Sequence, residues 1–271
     1  MSFEIEELQK WDNTILELVD RFKLNCYPQE FEICDHADML GYMAYSGMPS
    51  HYSHWSYGKG FERQKTMYDY GASGLPYEMV INSNPCVAYL MRDNTLLLQI
   101  LTIAHVYGHN DFFANNFTFT SGTKAGHTLQ MFKNNGQRIN SYIEDPSIGL
   151  ELVEETLDHA HALSFQVSKN LAIAKLSQEE QRQRLWEKAQ GQDDPWRDIH
   201  AKKEYVAPDL SKIPLGPEEN ILEFIAQYNP YLPEWKKDIL RIVDQQTRYF
   251  IPQMETKIMN EGWASYWHYK I

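Results

Sequence analysis

The stretch TLLLQILTIAHVYGHNDFF, residues 95–113, decides much of how this chain can fold. An apolar run of this length favours a buried helix over a strand, and Asn94 or Thr95 can cap its first turn. His105 and His109 are four residues apart, so both imidazoles lie on one face of that helix. The spacing suits two ligands of one metal ion, and it suits two core histidines with hydrogen-bond partners equally well.

A second polar stripe lies near the end of the chain in MNEGWASYWH, residues 259–268. On a helix, Glu261 and His268 fall on the same side. One carboxylate from a second helix would complete the three-ligand, open site that is typical of catalytic zinc. His268 fits a catalytic group, a fourth ligand or an ordinary surface or core histidine.

Both stretches resemble the zinc site of gluzincin metallopeptidases of the aminopeptidase N type. Residues 260–266 are similar to their Asn-Glu-Gly-Phe-Ala-Ser-Tyr segment, whose glutamate is the third zinc ligand, and residues 104–109 resemble their zinc-binding helix. The resemblance implies a zincin-like catalytic core with His105, His109 and Glu261 as ligands. These enzymes carry a general-base glutamate directly after the first histidine; Val106 stands there in this chain, so their mechanism does not carry over.

Hydrolysis would therefore need a carboxylate from elsewhere in the chain to accept a proton. Glu78 is the first candidate, because it lies on a predicted strand just ahead of the histidine helix, where zincins run an edge strand beside the substrate. A surface glutamate of no catalytic importance is the alternative. Nitrogen and oxygen ligands of this kind suit zinc first, and they also permit iron or manganese.

Four further polar residues are candidates for extra ligands or for side chains that orient the ligands. Asp158 and His161 are three apart on a predicted helix, a spacing found in two-metal carboxylate sites. His51 and His54 lie in an aromatic segment, where either could act as an acid, bind substrate or simply stack on its neighbours.

Four longer segments, residues 48–59, 77–90, 103–113 and 259–269, together resemble the stage V sporulation protein R (SpoVR) family. The resemblance covers nearly the whole chain as one SpoVR-like domain. It implies a cytoplasmic bacterial protein linked to spore cortex formation or stress responses, with a serine kinase of the same operon as a partner. It also implies a C-terminal region of the family that this chain lacks.

Hydrophobic periodicity predicts a mostly helical α+β protein with a short β-sheet. A strand is predicted at residues 77–82, an irregular loop at 44–76 and an exposed insertion or linker at 177–214. The predicted helices besides the histidine helix cover residues 2–23, 146–175, 217–228, 233–250 and 254–269.

Composition excludes several classes of protein. The net charge of −12 argues against a nucleic-acid-binding face, and no apolar stretch is long enough to span a membrane. Three cysteines without a C-x-x-C motif predict neither a disulfide framework nor a thiolate metal site, which suits a reducing compartment.

Three functions fit these features. The first is a metal-dependent hydrolase of an amide or peptide bond, acting on a peptide or a cell-wall-related substrate. The second is an iron or manganese redox protein, which the Asp158/His161 and Glu261/His268 pairs would allow. The third is a non-catalytic regulatory partner of the kinase, which the missing glutamate at Val106 would favour.

Overall fold

A small sheet and a long C-terminal helix enclose the helix that carries the two histidines. The computed structural model describes residues 3–168, 176–177, 179–184 and 219–271. Its strands are β1 (Gln29–Cys34), β2 (Glu78–Ile81) and β3 (Cys86–Met91). Its helices are α1 (Ile5–Arg21), α2 (His36–Ala44), α3 (Trp55–Asp69), α4 (Leu96–Asn115), α5 (Phe117–Gly122), α6 (Thr128–Glu144), α7 (Gly149–Ala162), α8 (Ile221–Tyr228) and α9 (Glu234–Lys270), with a 3-10 turn at Ala125–His127.

The sheet has three strands in the order β1-β3-β2. The central strand β3 runs parallel to β1 and antiparallel to β2, and all six of its residues are buried. The edge strand β2 begins at Glu78, which lies opposite Leu90. Since β2 also packs against α4, the sheet holds the Glu78 backbone beside the histidine helix.

The histidine helix α4 is buried along most of its length, as its apolar sequence predicts. Thr95 is its N-cap, because the Thr95 hydroxyl oxygen accepts a hydrogen bond from the Leu98 amide at 3.3 Å. The helix packs on α1 and the sheet through a core cluster that includes Leu90, Ile103 and Tyr107. These contacts fix the rotation of α4 about its axis and therefore the face on which its histidines lie.

Helices α4 and α9 approach each other very closely at Gly108 and Ala264. A Cβ atom placed on Gly108 would lie 2.6 Å from the Ala264 Cα atom and 3.3 Å from its Cβ and carbonyl oxygen. Such a distance is possible only without a side chain on α4. Because Gly108 lies between His105 and His109, this contact places the C-terminal turns of α9 next to both histidines.

The structure confirms a mostly helical α+β protein and corrects three predicted elements. The loop predicted at residues 44–76 contains α3, which His54 caps by accepting a hydrogen bond from the Ser56 amide. Helix α3 buries no residue fully, and a helix without a buried face lacks the apolar periodicity that identifies helices in a sequence. Gly58 and Gly60 further weaken the helical signal.

The two helices predicted over 233–250 and 254–269 are the single helix α9, which continues through Pro252. A proline inside a helix removes one backbone hydrogen bond and costs about 3 kcal/mol. Burial on both sides of it offsets this cost: Val243, Tyr249, Ile251 and Ala264 are all buried.

The helix predicted at 146–175 ends at Ala162, and residues 169–175 lie outside the described part of the chain. The predicted insertion at 177–214 also lies outside it, except for residues 177 and 179–184. Within the described residues, no helix has the length and apolar character needed to cross a membrane.

Candidate metal centre

The two histidines of α4 and two glutamates from other elements meet at one point. The Glu261 Oε2 atom lies 3.6 Å from His105 Nε2 and 3.8 Å from His109 Nε2. The Glu78 Oε1 atom lies 3.9 Å from His105 Nε2 on the side of strand β2. Possible ligand atoms of Glu78, His105 and His109 all lie within 4.8 Å of one another. The structure thus brings together the predicted ligands and the predicted base.

The four side chains differ in how much solvent reaches them. The His105 and His109 side chains are 13% and 7% exposed, Glu78 is 21% exposed and Glu261 is 54% exposed. A cleft of about 340 Å³ opens over Glu78, His109 and Glu261, and Lys257 of α9 also lines it. A small molecule can therefore reach Glu78, His109 and Glu261 through this cleft.

Hydrogen bonds at the other ring nitrogens hold the two imidazoles in place. The His109 Nδ1 atom lies 2.8 Å from the Asn260 side-chain oxygen, which can only accept, so Nδ1 carries the proton. This leaves the His109 Nε2 lone pair directed at Glu261. Imidazole ligands of metals are commonly held by such a bond to the second nitrogen.

His268 lies behind His105 rather than at the open side of the cluster. Its Nδ1 atom is 3.1 Å from His105 Nδ1, while the two glutamates lie around His105 Nε2. That position suits a side chain that orients His105 better than a fourth ligand or a transition-state donor. Its predicted catalytic role remains a prediction.

Burial sets the charge of the cluster. It lowers the pKa of His105 to about 4, helped by the neighbouring His109, and it lowers the pKa of His109. Burial and, to a smaller extent, the neighbouring carboxylate of Glu261 together raise the pKa of Glu78 to about 7. Two neutral imidazoles next to two carboxyl groups are a donor set suited to a divalent cation.

Asp111 joins α9 to the end of α4 and to the segment before β1. The Trp263 indole N–H donates to Asp111 Oδ2 at 2.8 Å, and the Asn25 amide donates to Asp111 Oδ1 at 2.8 Å. Sequence reasoning missed Asp111, Asn260 and Gly108 as positioning residues. Asn260 and Trp263 flank Glu261 within the quoted segment, which was the available signal.

The other four predicted site residues form a second cluster. His161 Nε2 lies 2.7 Å from the Tyr52 hydroxyl, and Asp158 Oδ1 lies 3.3 Å from His54 Nε2. His51 Nε2 lies 3.2 Å from the Tyr57 hydroxyl.

No contact in the described part of the chain joins His51, His54, Asp158 or His161 to the cluster at His105 and His109. Their role as extra ligands or as side chains that orient the ligands stays a prediction. Helix spacing correctly put Asp158 beside His161 but carried no information about the distance from α7 to α4.

Comparisons with known proteins agree with the segments quoted at the outset. Residues 2–271 match the family described as SpoVR like protein. Uncharacterized protein YcgB of Escherichia coli (strain K12) is 39% identical over 257 residues, which are 92% of this chain and 50% of that relative. The chain thus spans about half the length of the curated relative it matches, and no solved structure matches it significantly. On a match that extends over nearly the whole sequence, this chain belongs to the SpoVR family.

Proposed function

We propose that this chain is a metal-dependent hydrolase with a zincin-like core. His105, His109 and Glu261 hold a divalent metal ion, zinc in the first instance and iron or manganese as alternatives, and Glu78 accepts a proton during cleavage of an amide or peptide bond. The substrate class is a peptide or a cell-wall-related amide. A serine kinase as partner and a cytoplasmic location follow from the family resemblance and belong to the same proposal.

The position of Glu261 carries the proposal. In a tetrahedral site with bonds of about 2.0–2.1 Å, neighbouring ligand atoms are about 3.3–3.4 Å apart. Glu261 Oε2 lies 3.6 and 3.8 Å from the two Nε2 atoms, so small rotations of the side chains would close the site. The hydrogen bond from His109 to Asn260 supports it, because it keeps the His109 Nε2 lone pair free for the ion.

The position of Glu78 supports its role as the general base. Its carboxylate reaches the same point from the opposite element, the edge strand β2, at 3.9 Å from His105 Nε2. Val106, which replaces the usual base, is fully buried and is not among the residues that line the cleft. A base must lie within hydrogen-bonding distance or one water molecule of the proton it accepts, and the 3.9 Å between Glu78 and His105 Nε2 supports this role for Glu78.

Each residue of the site has a separate role in the proposed hydrolysis. A divalent ion bound there supplies Lewis-acid polarisation of a carbonyl group and a nucleophile at neutral pH. Glu78 takes the proton released by that nucleophile and can return it to the leaving amine. His268 and Asn260 keep the two imidazoles in one orientation, and the cleft admits an extended substrate beside β2.

Metal content measured on variants purified without chelator tests the ligand set. We expect His105→Ala, His109→Ala and Glu261→Gln each to lose most of the bound metal while the protein stays folded. Asp158→Asn, in the second cluster, is the matched control and should keep the metal. A wild-type chain without stoichiometric metal under these conditions would reject the proposal.

Measurements of cleavage rate distinguish the proposed base, Glu78, from the proposed metal ligands. We expect Glu78→Gln to retain the metal and to lose a factor of about 10² to 10⁴ in the rate of amide cleavage, measured with a fluorogenic peptide library. If Glu78→Gln loses the metal while Glu261→Gln keeps it, the two glutamates have exchanged roles. Unchanged cleavage by Glu78→Gln would remove the base assignment.

A further inference from the structure

Lys257 of α9 carries the one lysine or arginine charge among the described residues that line the metal cleft. The residue is exposed, and its ammonium group has no ion pair or hydrogen bond in the described part of the chain. Glu261 lies four residues further along the helix, a spacing at which a lysine and a glutamate commonly pair. The Glu261 carboxylate instead lies 3.6 Å from His105 Nε2 and 3.8 Å from His109 Nε2. The positive charge of Lys257 is therefore available to a ligand.

Asn260 adds a second hydrogen-bond donor to the same wall of the cleft. Its side-chain oxygen accepts from His109 Nδ1, which fixes the orientation of the amide group. Its amide nitrogen donates to no described residue and is not among the buried unpaired atoms, so it keeps accessible surface. Because residues three apart on a helix have Cβ atoms about 5–6 Å apart, Lys257 and Asn260 place two donors on one part of the wall.

Much of the remaining lining is apolar. Val80, Phe113, Phe250 and Met254 contribute to it, and Met254 is half exposed. The cleft volume of about 340 Å³ is at the lower end of the range of small-molecule sites, about 300–1,000 Å³, and suits an apolar side chain with its backbone. A ligand with a carboxylate next to an apolar group matches both parts of this lining.

The two glutamates of the cleft do not exclude such an anion. In the proposed site Glu261 binds a doubly charged ion, and bound cations are often the largest local charges in a site. With Glu78 ionised as well, the ion and Lys257 together still outweigh the two carboxylates. A cleft of net positive charge attracts a ligand that carries one negative charge.

We propose that the cleft binds the free C-terminal carboxylate of a peptide with an apolar last side chain, and that hydrolysis occurs within two residues of it. Lys257 Nζ and the Asn260 amide donate to the carboxylate, while the apolar side chain packs on Phe113 and Met254. The inference rests on the proposed hydrolysis at the same metal centre and adds its substrate class. Cleavage consumes one water molecule and breaks one C–N amide bond, and the released amine takes up the proton that Glu78 accepted.

The spacing along α9 sets the limit of two residues. A helix rises 1.5 Å per residue, so Lys257 and Glu261 are about 6 Å apart along the helix axis. An extended substrate spans about 3.3–3.6 Å per residue, so this distance corresponds to between one and two residues. A carboxylate held at Lys257 therefore places the last or the penultimate amide bond near the ligands of the ion.

Ligands without an amide bond test the carboxylate site independently of hydrolysis. Hydrocinnamate, hydrocinnamyl alcohol and phenylpropylamine share one apolar group and differ in charge, and calorimetric titration of the zinc-loaded protein compares them. We expect hydrocinnamate to bind most tightly and Lys257→Met to weaken its binding about three- to tenfold, between the effects of an exposed ion pair and of a buried charged hydrogen bond. The same loss should appear in chelator-treated protein, where the carboxylate has no ion to bind.

Three variants act as controls for charge and position. Lys257→Arg should keep most of the affinity for hydrocinnamate, and Lys257→Glu should bind phenylpropylamine more tightly than hydrocinnamate. Lys65→Met removes the same charge from an exposed position on α3 that does not line the cleft, so it should bind as the wild type does. Equal binding of the three ligands by the wild type, or equal hydrocinnamate binding by Lys257→Met, would overturn the inference.

Cleavage assays connect the carboxylate site to the proposed hydrolysis. The zinc-loaded chain should cleave acetyl-Ala-Ala-Phe with a higher kcat/KM than the same peptide carboxamide, and Lys257→Met should remove this preference mainly through KM. Acetyl-Ala-Glu-Phe carboxamide, whose carboxylate is a side chain, should be cleaved as slowly as the first carboxamide; cleavage as fast as the free acid would overturn the assignment to a C-terminus. Hydrolysis without a preference for the free acid would overturn this inference alone. Binding that depends on Lys257, without any hydrolysis, would support the carboxylate site and reject the hydrolase.

Discussion

Replacing Gly108 with alanine tests whether the contact between α4 and α9 builds the metal centre. The added Cβ would lie 2.6 Å from the Ala264 Cα atom, and ordinary contacts between carbon atoms are about 3.5–4.0 Å. The helices must therefore separate by about 1 Å at this point. Because the obstacle is backbone, no change of side-chain rotamer can relieve it.

The displacement has two measurable effects. Overpacking of this kind typically costs about 1–3 kcal/mol of unfolding free energy, which urea denaturation followed by circular dichroism would detect. Glu261 lies one turn before Ala264, so it moves away from both histidines by a similar distance. Metal–ligand distances tolerate only about 0.2 Å, and we expect at least a tenfold loss of zinc affinity in competition with a chromophoric chelator.

Gly262→Ala is the matched control, because a Cβ atom at Gly262 meets nothing within 4 Å. Alanine also has the higher helix propensity, so this variant should bind metal normally and be as stable as the wild type or more so. Adding Ala264→Gly to Gly108→Ala should rescue little, since the Ala264 Cα remains in the way. Normal zinc affinity in Gly108→Ala, with less than about 0.5 kcal/mol lost, would refute this reasoning.

Three further predictions concern residues around the two clusters. Asn260→Ala removes the acceptor at His109 Nδ1 and should lower metal affinity about 10–100-fold in the same competition assay. Asn260→Asp should recover most of that affinity. If Asn260→Ala binds metal as tightly as the wild type, a positioning role for Asn260 is excluded. Trp263→Phe loses the hydrogen bond to Asp111, so urea denaturation should show an unfolding free energy lower by about 1.5–3 kcal/mol. An unchanged unfolding free energy would mean that packing alone holds α9 in place. Burial lowers the pKa of His51 to about 3, against 6.5 in the unfolded chain, so unfolding takes up a proton at this residue below about pH 6. His51 alone should therefore contribute a fall in stability of about 1.4 kcal/mol per pH unit down to about pH 4, in addition to the falls from His105 and His161. His51→Gln should show a shallower fall, and parallel curves would contradict this.

The elements with strong periodicity or long apolar runs could be predicted from the sequence. Helices α1 and α4 and strand β2 lie close to their predicted bounds, because α1 has a periodic apolar face, α4 a long apolar run and β2 an alternating β-branched sequence before a turn. Strand β3 was missed because it is buried on both faces, which removes the alternation that identifies a strand. Helix α3 was missed for the opposite reason, since it buries no residue completely.

The candidate site could be predicted as a set of residues but not as a geometry. Helix spacing put His105 beside His109, and the quoted C-terminal segment supplied Glu261. The same spacing argument made Asp158 and His161 candidates for the metal site. Their contacts lie in the second cluster, and distances between helices depend on packing that no single segment encodes. The role of Asn260 likewise depends on the crossing of α4 and α9, which Gly108 permits.

The proposed metal ligands lie far apart along the chain, which determines when the site can form during synthesis. His109 and Asn260 are 151 residues apart, and the two histidines leave the ribosome long before Glu261 does. Closing so long a loop is entropically costly, so the histidine pair cannot acquire its carboxylate from α9 until nearly the whole described domain has folded. An ion held by all three groups would then act as a cross-link between early and late segments and would stabilise only the completed fold. Metal uptake would thus report that α9 has docked on α4, and a chain that misplaces α9 would remain metal-free.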